Sequence, residues 1–426
     1  MIDNALYDIK ECFGDKLHTI HNNSPKHIKK HSYNFLHVLK YFIKKIKSMS
    51  IKKCNKFYLV KGKEKIINME MKVLFVDYDL LSVNYFLKII FSDAHKINKI
   101  EKKVSCSFKK IIRNPNSYDM VFIKKDKVYS KLLEKYGFFV IPKMISMSID
   151  LSDQQKQLYS SFSRTIRKNI NKVVKNKFSY EVSEDISKLD FFYYKMYLPF
   201  VKNRYADEAI IMDYSFVKNT FENGKLILVK DNGKYKLGVL ICCYGKNKAL
   251  LSLTGVAGNN QEYLDKNAGL ASTYFSILWS KDNDIETLNF GFCKPYLNDG
   301  VFQHNKKWGT YVEKFRNHTY NIDHDQIFGL KILNLNKGVK NFLERNPFIC
   351  LNNGQLNGMV FSNNHLGHYE VDNIYKKYAI SGLNKLYLCF MKNISDDTRN
   401  LINTRYKNKI ILVDKKTLKK KYCQFV

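Results

Sequence analysis

From residue 57 onward, apolar and polar positions fall into short blocks that read as alternating strands and helices. FYLV and KVLFVDYD read as strands, LLSVNYFLKIIF as a buried helix, and YDMVFIK as a further strand. KVYSKLLEKYG makes a helix that stops at Gly137, a residue free to take the left-handed conformation that ends helices. FFVIPKMISMSIDL returns as one strand. Such alternation predicts a mixed or parallel sheet in an α/β (α+β) fold.

The next block opens with SSFSRTIRKNINKVVKNKFSYEV, a helix followed by a strand. Phe162, Ile166, Ile170 and Val174 recur every four residues and predict one apolar stripe, with Arg164, Arg167, Lys168, Lys172 and Lys175 on the other faces. ISKLDFFYYKMYLPFVKNRYA reads as a second helix. GKLILVK and YKLGVLICCYG read as a hairpin about Asp231-Asn232-Gly233. NKALLSLTGVAG is a third strand, NAGLASTYFSILWSKD an apolar helix, IETLNFG a strand, and KWGTYVEKFRNHTYNI a closing strand. Beyond about Asp325, KILNLNKGVKNFLERN and DDTRNLINTRYKN read as helices, and KLYLCFM and KIILVD as strands. The expected organisation is a basic arm and amphipathic helix over 1–56, one half over 57–150, a second over 151–324, and a small α/β appendage over 325–426.

Composition narrows the classes. With 426 residues, 45% hydrophobic and 14% aromatic, the chain has material for two or three proper cores. Its formal charge of +33 favours a phosphate-bearing partner: nucleic acid, acidic lipid or a phosphorylated substrate. AT-rich codons also supply Lys, Asn and Ile, so mutational bias accounts equally well for part of that charge. Nine cysteines without a C-x-x-C or zinc spacing suit a reducing cytoplasm and predict no metal site. The start MIDNALYDIKECFGDK has acids and no apolar core, so no signal peptide is expected. Residues 18–31 hold four histidines without acidic or thiol companions, which suits a solvated arm. The stretch YNFLHVLKYFIKKIKSMSIKK is a basic amphipathic helix that either docks on its own domain or lies on an anionic membrane surface.

Three places invite chemistry. Asp77-Tyr78-Asp79 at a strand end is an acid-x-acid pair that either holds a divalent ion or caps the following helix. The second place is a strand, a polar loop and the helix start KNAGLA, which together form a phosphate cradle. Free amides and the helix dipole favour an anion there, and Gly269 permits close approach. The third is LNFGFCKPYLNDGVFQHNKKWG, with Cys293, Asp299, His304, Lys306 and Lys307 in one span. No serine elbow, H-E-x-x-H, P-loop or Rossmann fingerprint is present.

The spacing Lys266-x-x-Gly269-Leu270-Ala271 resembles the coenzyme-A pyrophosphate motif of GNAT acyltransferases, with Lys where Arg or Gln is usual. The order of a basic SRTIRKNINKVVK helix, a tyrosine-rich helix leading to Arg204-Tyr205, three strands, KNAGLA, and then LNFG, DG and KKWG resembles the FemAB-like branch of the GNAT superfamily. It covers residues 150–320; the first 150 fit as the degenerate second GNAT-like half, and the last hundred lie outside it.

The resemblance implies two GNAT-like halves and an N-acyltransferase. The donor would be acyl-CoA held by Lys266, Gly269, Leu270 and Ala271. The acceptor would be an amine of an amino sugar, peptide or envelope precursor, held by Arg204, Tyr205, Lys306 and Lys307. Such an enzyme would be cytoplasmic or peripheral on the inner membrane face. His304, Asp299 and Glu208 are the candidate bases, since one group need only take a proton from the attacking ammonium. Aminoacyl-tRNA is the alternative donor, and a non-catalytic basic protein binding membrane surface or nucleic acid is the alternative class. One departure stands out: Asn305 occupies the place of the family's lysine before Trp308.

Overall fold

The computed structural model describes residues 57–100, 117–152, 155–205, 209, 211–260, 262–263, 267–317, 322–323, 326–364, 366–392 and 394–418. The arm and helix expected over 1–56 lie outside the described residues.

The first half begins with antiparallel β1 (Phe57–Glu64) and β2 (Glu70–Val76), followed by α1 (Leu80–Ile90) and β3 (Phe91–Ile100), which returns beside β1. β4 (Met120–Asp126) lies parallel to β2, and α2 (Ser130–Lys135) leads through Gly137 (φ 71°) into β5 (Phe139–Pro142). The single strand expected over FFVIPKMISMSIDL is two. Pro142 lacks the N–H that would continue the ladder, and after Lys143-Met144 the chain enters a different sheet as β6 (Ile145–Asp150).

The second half follows with α3 (Gln155–Ser161), α4 (Arg164–Lys175), β7 (Ser179–Ser183) and α5 (Ile186–Phe191). A π-helical turn (Phe192–Tyr197) joins α5 to α6 (Leu198–Tyr205), after which come α7 (Tyr214–Glu222), β8 (Gly224–Asp231), β9 (Lys234–Tyr244) and β10 (Lys248–Val256). The β8–β9 turn puts Asn232 and Gly233 at φ 49° and 76°, as the sequence requires. Then come α8 (Ala268–Asp282), β11 (Thr287–Cys293), α9 (Gly300–Lys306) and β12 (Tyr311–Lys314). The short pair β13 (Arg316–Asn317) and β14 (Ile322–Asp323) ends this half. Strands order as β12-β6-β11-β10-β9-β8-β7 in a mixed seven-stranded sheet.

The stripe on α4 departs from expectation. Phe162, Ile166 and Ile170 are buried, but Val174 is 63% exposed and Val173 takes its place in the core at 1%. Steps of four overshoot a 3.6-residue turn by about 40° each, so the third step carries the side chain off the face. Arg167 is not a free surface cation either: its guanidinium donates to the carbonyls of Ser160 (2.9 Å) and Phe162 (2.6 Å) and closes the end of α3.

The segment after 325 does not stand apart. β15 (Gln326–Ile332) inserts between β4 and β5, and after α10 (Lys337–Arg345) the hairpin β16 (Phe348–Asn352) and β17 (Gln355–Ser362) extends the sheet from β5. α11 (His368–Tyr378), β18 (Lys385–Phe390), α12 (Asp396–Arg405), β19 (Ile410–Val413) and α13 (Lys415–Leu418) complete it as parallel crossovers. The result is one ten-stranded mixed sheet, β19-β18-β17-β16-β5-β15-β4-β2-β1-β3. One core joins the two sheets: Ile145, Met147, Cys293 and Val312 pack with Val121, Val140, Ile349 and Leu386. A second fills the opposite face of the large sheet around Phe75, Phe86, Phe122 and Phe348. In the seven-stranded sheet, α4 and α8 cover one face, and α5, the π turn, α6 and α7 cover part of the other. Among the described residues no helix is long and apolar enough to cross a membrane.

Candidate active site

The site begins with a fork in the backbone. β10 and β11 pair in parallel only through Lys248↔Thr287, Ala249↔Leu288 and Leu250↔Asn289. Each then carries an extra residue against its outer neighbour, β10 between Leu251 and Leu253 and β11 between Asn289 and Phe292. Bulges bend the strands that hold them, so two at one level push β10 and β11 apart. Beyond Leu250 and Asn289 the facing strand edges form no ladder with each other. Gly291 takes φ 86° on the far side, and its N–H donates to Asn289 Oδ1 at 2.7 Å. The buried Asn289 therefore braces the vertex.

Polar side chains collect under that vertex, on the sheet face away from α4 and α8. Cross-strand partners share a face, which puts Ser146 and Ser148 of β6, Asn289 of β11, and Tyr311 and Glu313 of β12 together. Ser148 Oγ donates to Glu313 Oε1 at 2.5 Å, and Asn289 Nδ2 approaches the same oxygen at 3.5 Å. The Tyr244 phenol joins from β9: burial first, then the Glu313 charge, raises its pKa, and a hydrogen bond with Asn289 offsets part of the rise. Burial and Glu313 raise Tyr311 likewise. Both phenols are therefore protonated at neutral pH beside a half-buried carboxylate. Phe292, 55% exposed, stands edge-on to Phe315 at 5.1 Å.

None of this cluster was singled out from the sequence. The signal available was ISMSID, where serines alternate with apolar residues in a strand, and YVEK, where Tyr311 and Glu313 alternate with Val312.

At the other end of β10 the chain makes a short turn (Ala257–Asn259) and enters α8. Asn267 occupies the cap position at φ 70° and makes no side-chain capping bond. The first closure of the helix is Ala271 N–H to Asn267 O at 2.9 Å, so the amides of Ala268, Gly269 and Leu270 precede the helical ladder. Gly269 is half-buried, and no Cβ obstructs approach there. Amides that precede the ladder at the positive end of a helix dipole are the kind of group that receives an anion. Leu270 and Ala271 point into the core and contribute backbone, not side chains. Lys266 lies outside the described residues.

The remaining sequence candidates fall elsewhere. Asp299 caps α9, its Oδ1 accepting from Val301 N–H (3.0 Å) and Phe302 N–H (3.1 Å). His304 stands on the exposed face of that helix, where desolvation and then the Lys307 charge lower its pKa. Lys307 is exposed, and its carbonyl accepts from Ser163 N–H at 2.8 Å, tying the Trp-Gly turn to α4. Asn305 is buried, and its carbonyl accepts from Trp308 N–H and Thr310 Oγ1.

Lys306 is a tether: its Nζ donates to the carbonyls of Lys376 (2.9 Å) and Lys377 (2.6 Å) at the end of α11. Burial lowers its pKa to about 8. Because the unfolded value is about 10.4, the unfolded chain binds more protons between these limits, and stability rises with pH across that window. Nζ-detected NMR should find a midpoint near 8, and Lys306→Met should remove the pH-dependent gain in melting temperature.

Arg204 ends α6 exposed, its guanidinium 5.5 Å from the Phe200 ring. α6 packs beside the Ala257–Asn259 turn that follows β10. Glu208 and the Tyr205 side chain lie outside the described residues. Asp77 and Asp79 do not form a metal pair: each meets a lysine, Lys125 at 2.5 Å and Lys124 at 2.8 Å. Asp79 also caps α1 through Ser82. Partial burial pulls its pKa up, but the Lys124 and Ser82 hydrogen bonds outweigh this and hold it low. Cys293 is buried, which pushes its thiol far above the range where it would be a nucleophile. Among the described residues no three His, Cys, Asp or Glu side chains converge as metal ligands.

No protein-family model matches this sequence, and no curated protein matches it significantly. The chain is similar to the solved structure of FemX at 14% identity and a TM-score of 0.35, over 63% of this chain and 83% of that one. It is similar to L-PGS from Bacillus licheniformis at 10% identity and a TM-score of 0.32, over 63% and 82%. A GCN5-related N-acetyltransferase from Kribbella flavida matches at 9% identity and a TM-score of 0.26, over 61% and 80%.

Proposed function

We propose that the chain is an N-acyltransferase that moves an acyl group from acyl-CoA to the amine of an amino sugar, peptide or envelope precursor. The observation that carries this reading is the fork between β10 and β11 with Glu313 at its vertex. The amides of Ala268, Gly269 and Leu270 would hold the donor's diphosphate. Backbone groups freed where the strands part would polarise the acyl carbonyl. Glu313 would take a proton from the acceptor ammonium, leaving the amine lone pair to attack as the C–S bond breaks. Tyr244, protonated at neutral pH, would give its proton to the departing thiolate and take back the one that the acylated nitrogen loses on becoming a neutral amide.

Thiol release from acetyl-CoA with a panel of amines tests this directly. Gly269→Asp is the informative variant. A carboxylate in the first turn favours the helix but opposes a diphosphate, so CoA affinity should fall at least about tenfold, a change of about 1.4 kcal/mol or more, with melting temperature held. Unchanged CoA affinity would overturn the donor assignment.

A second donor, aminoacyl-tRNA, is favoured by one observation: Arg164, Lys168, Lys172 and Lys175 form an exposed cationic row along α4. tRNA binding that persists at physiological salt and weakens when these four are replaced would support it. A membrane-surface role for residues 35–53 is a separate proposal, tested by liposome co-sedimentation with and without residues 1–53.

A further inference from the structure

The β1–β2 hairpin ends in the loop Lys65-Ile66-Ile67-Asn68-Met69, and its apolar side chains are open to solvent. Ile66 is 58% exposed, Ile67 39% and Met69 42%. Single exposed apolar residues are ordinary, but a cluster at one tip marks a contact surface. The backbone of the loop is fixed from below. The Glu64 carboxylate, fully buried, accepts from the Ile66 and Ile67 N–H groups at 2.9 Å each, and its other oxygen meets the Arg345 guanidinium from α10. Glu64 N–H donates to Met69 O at 2.7 Å, and Asn68, at φ 56°, donates from its N–H to Glu64 O at 3.0 Å. Lys65 N–H donates to Ile90 O at 3.0 Å and ties the tip to the end of α1. None of these bonds uses an Ile or Met side chain. The tip is therefore ordered before any partner arrives, which lowers the entropy lost on docking.

Lysines surround it. Lys61 pairs across the ladder with Lys72, and Lys63 with Glu70, which puts these four on one face of the sheet. In the hairpin four lysines, Lys61, Lys63, Lys65 and Lys72, are exposed against one exposed acid, Glu70. The exposed aromatics Phe191, Tyr194 and Phe216 of the second half differ in this respect, because Asp185, Asp190 and Asp213 are exposed near them in the chain.

The combination selects a partner. Aliphatic side chains give bases nothing to stack on, which disfavours single-stranded nucleic acid. A second copy meeting the tip head-on would set these lysines against the same lysines. A leaflet with anionic headgroups satisfies both parts: the acyl chains receive Ile66, Ile67 and Met69, and the phosphates receive the lysines. We propose that the β1–β2 tip is a membrane-docking element that enters an anionic lipid surface through Ile66, Ile67 and Met69. The assignment stands apart from the acyl-transfer reading and from residues 1–53.

Co-sedimentation of the full chain tests it, with vesicles of equal parts phosphatidylcholine and phosphatidylglycerol set against phosphatidylcholine alone. Affinity for the anionic vesicles should be at least about tenfold higher and should fall with salt. Ile66→Ser/Ile67→Ser should weaken it at least about tenfold, with melting temperature held because the loop's bonds run through backbone and Glu64. Lys61→Gln/Lys63→Gln/Lys72→Gln should weaken it about 100-fold, at about fivefold for each lysine near the surface. Ile66→Trp reads the tip itself: Trp279 and Trp308 are buried, so emission from the added indole should move to the blue on anionic vesicles. Equal binding to both vesicles, parent affinity in Ile66→Ser/Ile67→Ser, or unshifted Ile66→Trp emission each overturns the proposal, whatever residues 1–53 contribute. A dimer that Ile66→Ser/Ile67→Ser dissolves, without vesicle binding, overturns it in favour of a second copy.

Discussion

Glu313→Gln should lower turnover by about 10²- to 10⁴-fold, the usual cost of removing a positioned general base. The replacement keeps the shape of the side chain and an oxygen that accepts from Ser148 Oγ, so β6 and β12 stay in register. What it removes is the charge. A second readout follows from the same cause: Glu313 helps to raise the Tyr244 and Tyr311 phenols, so both should titrate at lower pH in the variant. A purely structural role for Glu313 would show as a lower melting temperature with turnover near the parent value. That outcome would sink the assignment of the base.

The second large effect is on stability. Gly382 sits at φ 87°, and a Cβ there would stand 1.9 Å from the Val312 carbonyl oxygen and 2.9 Å from its nitrogen. Gly382→Ala combines a left-handed conformation that disfavours side chains, about 1–3 kcal/mol, with a backbone clash that forces β12 to move, about 1–3 kcal/mol more. A loss of about 2–6 kcal/mol in total should appear as a lower denaturant midpoint. Turnover should fall as well, because Val312 directly precedes Glu313 and carries it when it shifts. An unchanged midpoint would mean that the loop over β12 is not the constraint it looks to be.

How much of this was legible beforehand depends on whether the information was local. The Asp231-Asn232-Gly233 turn, the cap at Gly137 and the apolar α8 were readable because each depends on conformational preferences within a few residues. So was the start of α8, whose Asn267 cap and Gly269 lie close in the chain. Asp before Gly300-Val301 suits both chemistry and capping, and the hydrogen bonds from Val301 and Phe302 show that Asp299 caps α9. Lys306, which the resemblance places against the acceptor, donates to carbonyls 70 and 71 residues away, on a helix no motif connects to it.

Glu313 escaped notice for the same reason. Its neighbours Ser148, Asn289 and Tyr244 come from three other strands, and a lone Glu in YVEK carries no pattern. The segment after 325 looked separate because its helices and strands are complete in themselves. It belongs to the large sheet because β15 pairs with β4 and β5, whose residues lie roughly two hundred positions earlier.

By itself, then, the sequence determined most of the elements, the mixed α/β class, the hairpin, and the start of α8 beside Gly269. These follow from side-chain periodicity and from the backbone freedom of Gly and Asn, which act over one or two turns of chain. Only the tertiary structure decided that two bulges at one level open the fork, that Glu313 sits at its vertex, and that the last hundred residues pack against β12 beside it. Those depend on strand order and register, which are set by which distant edges pair and bury their faces together.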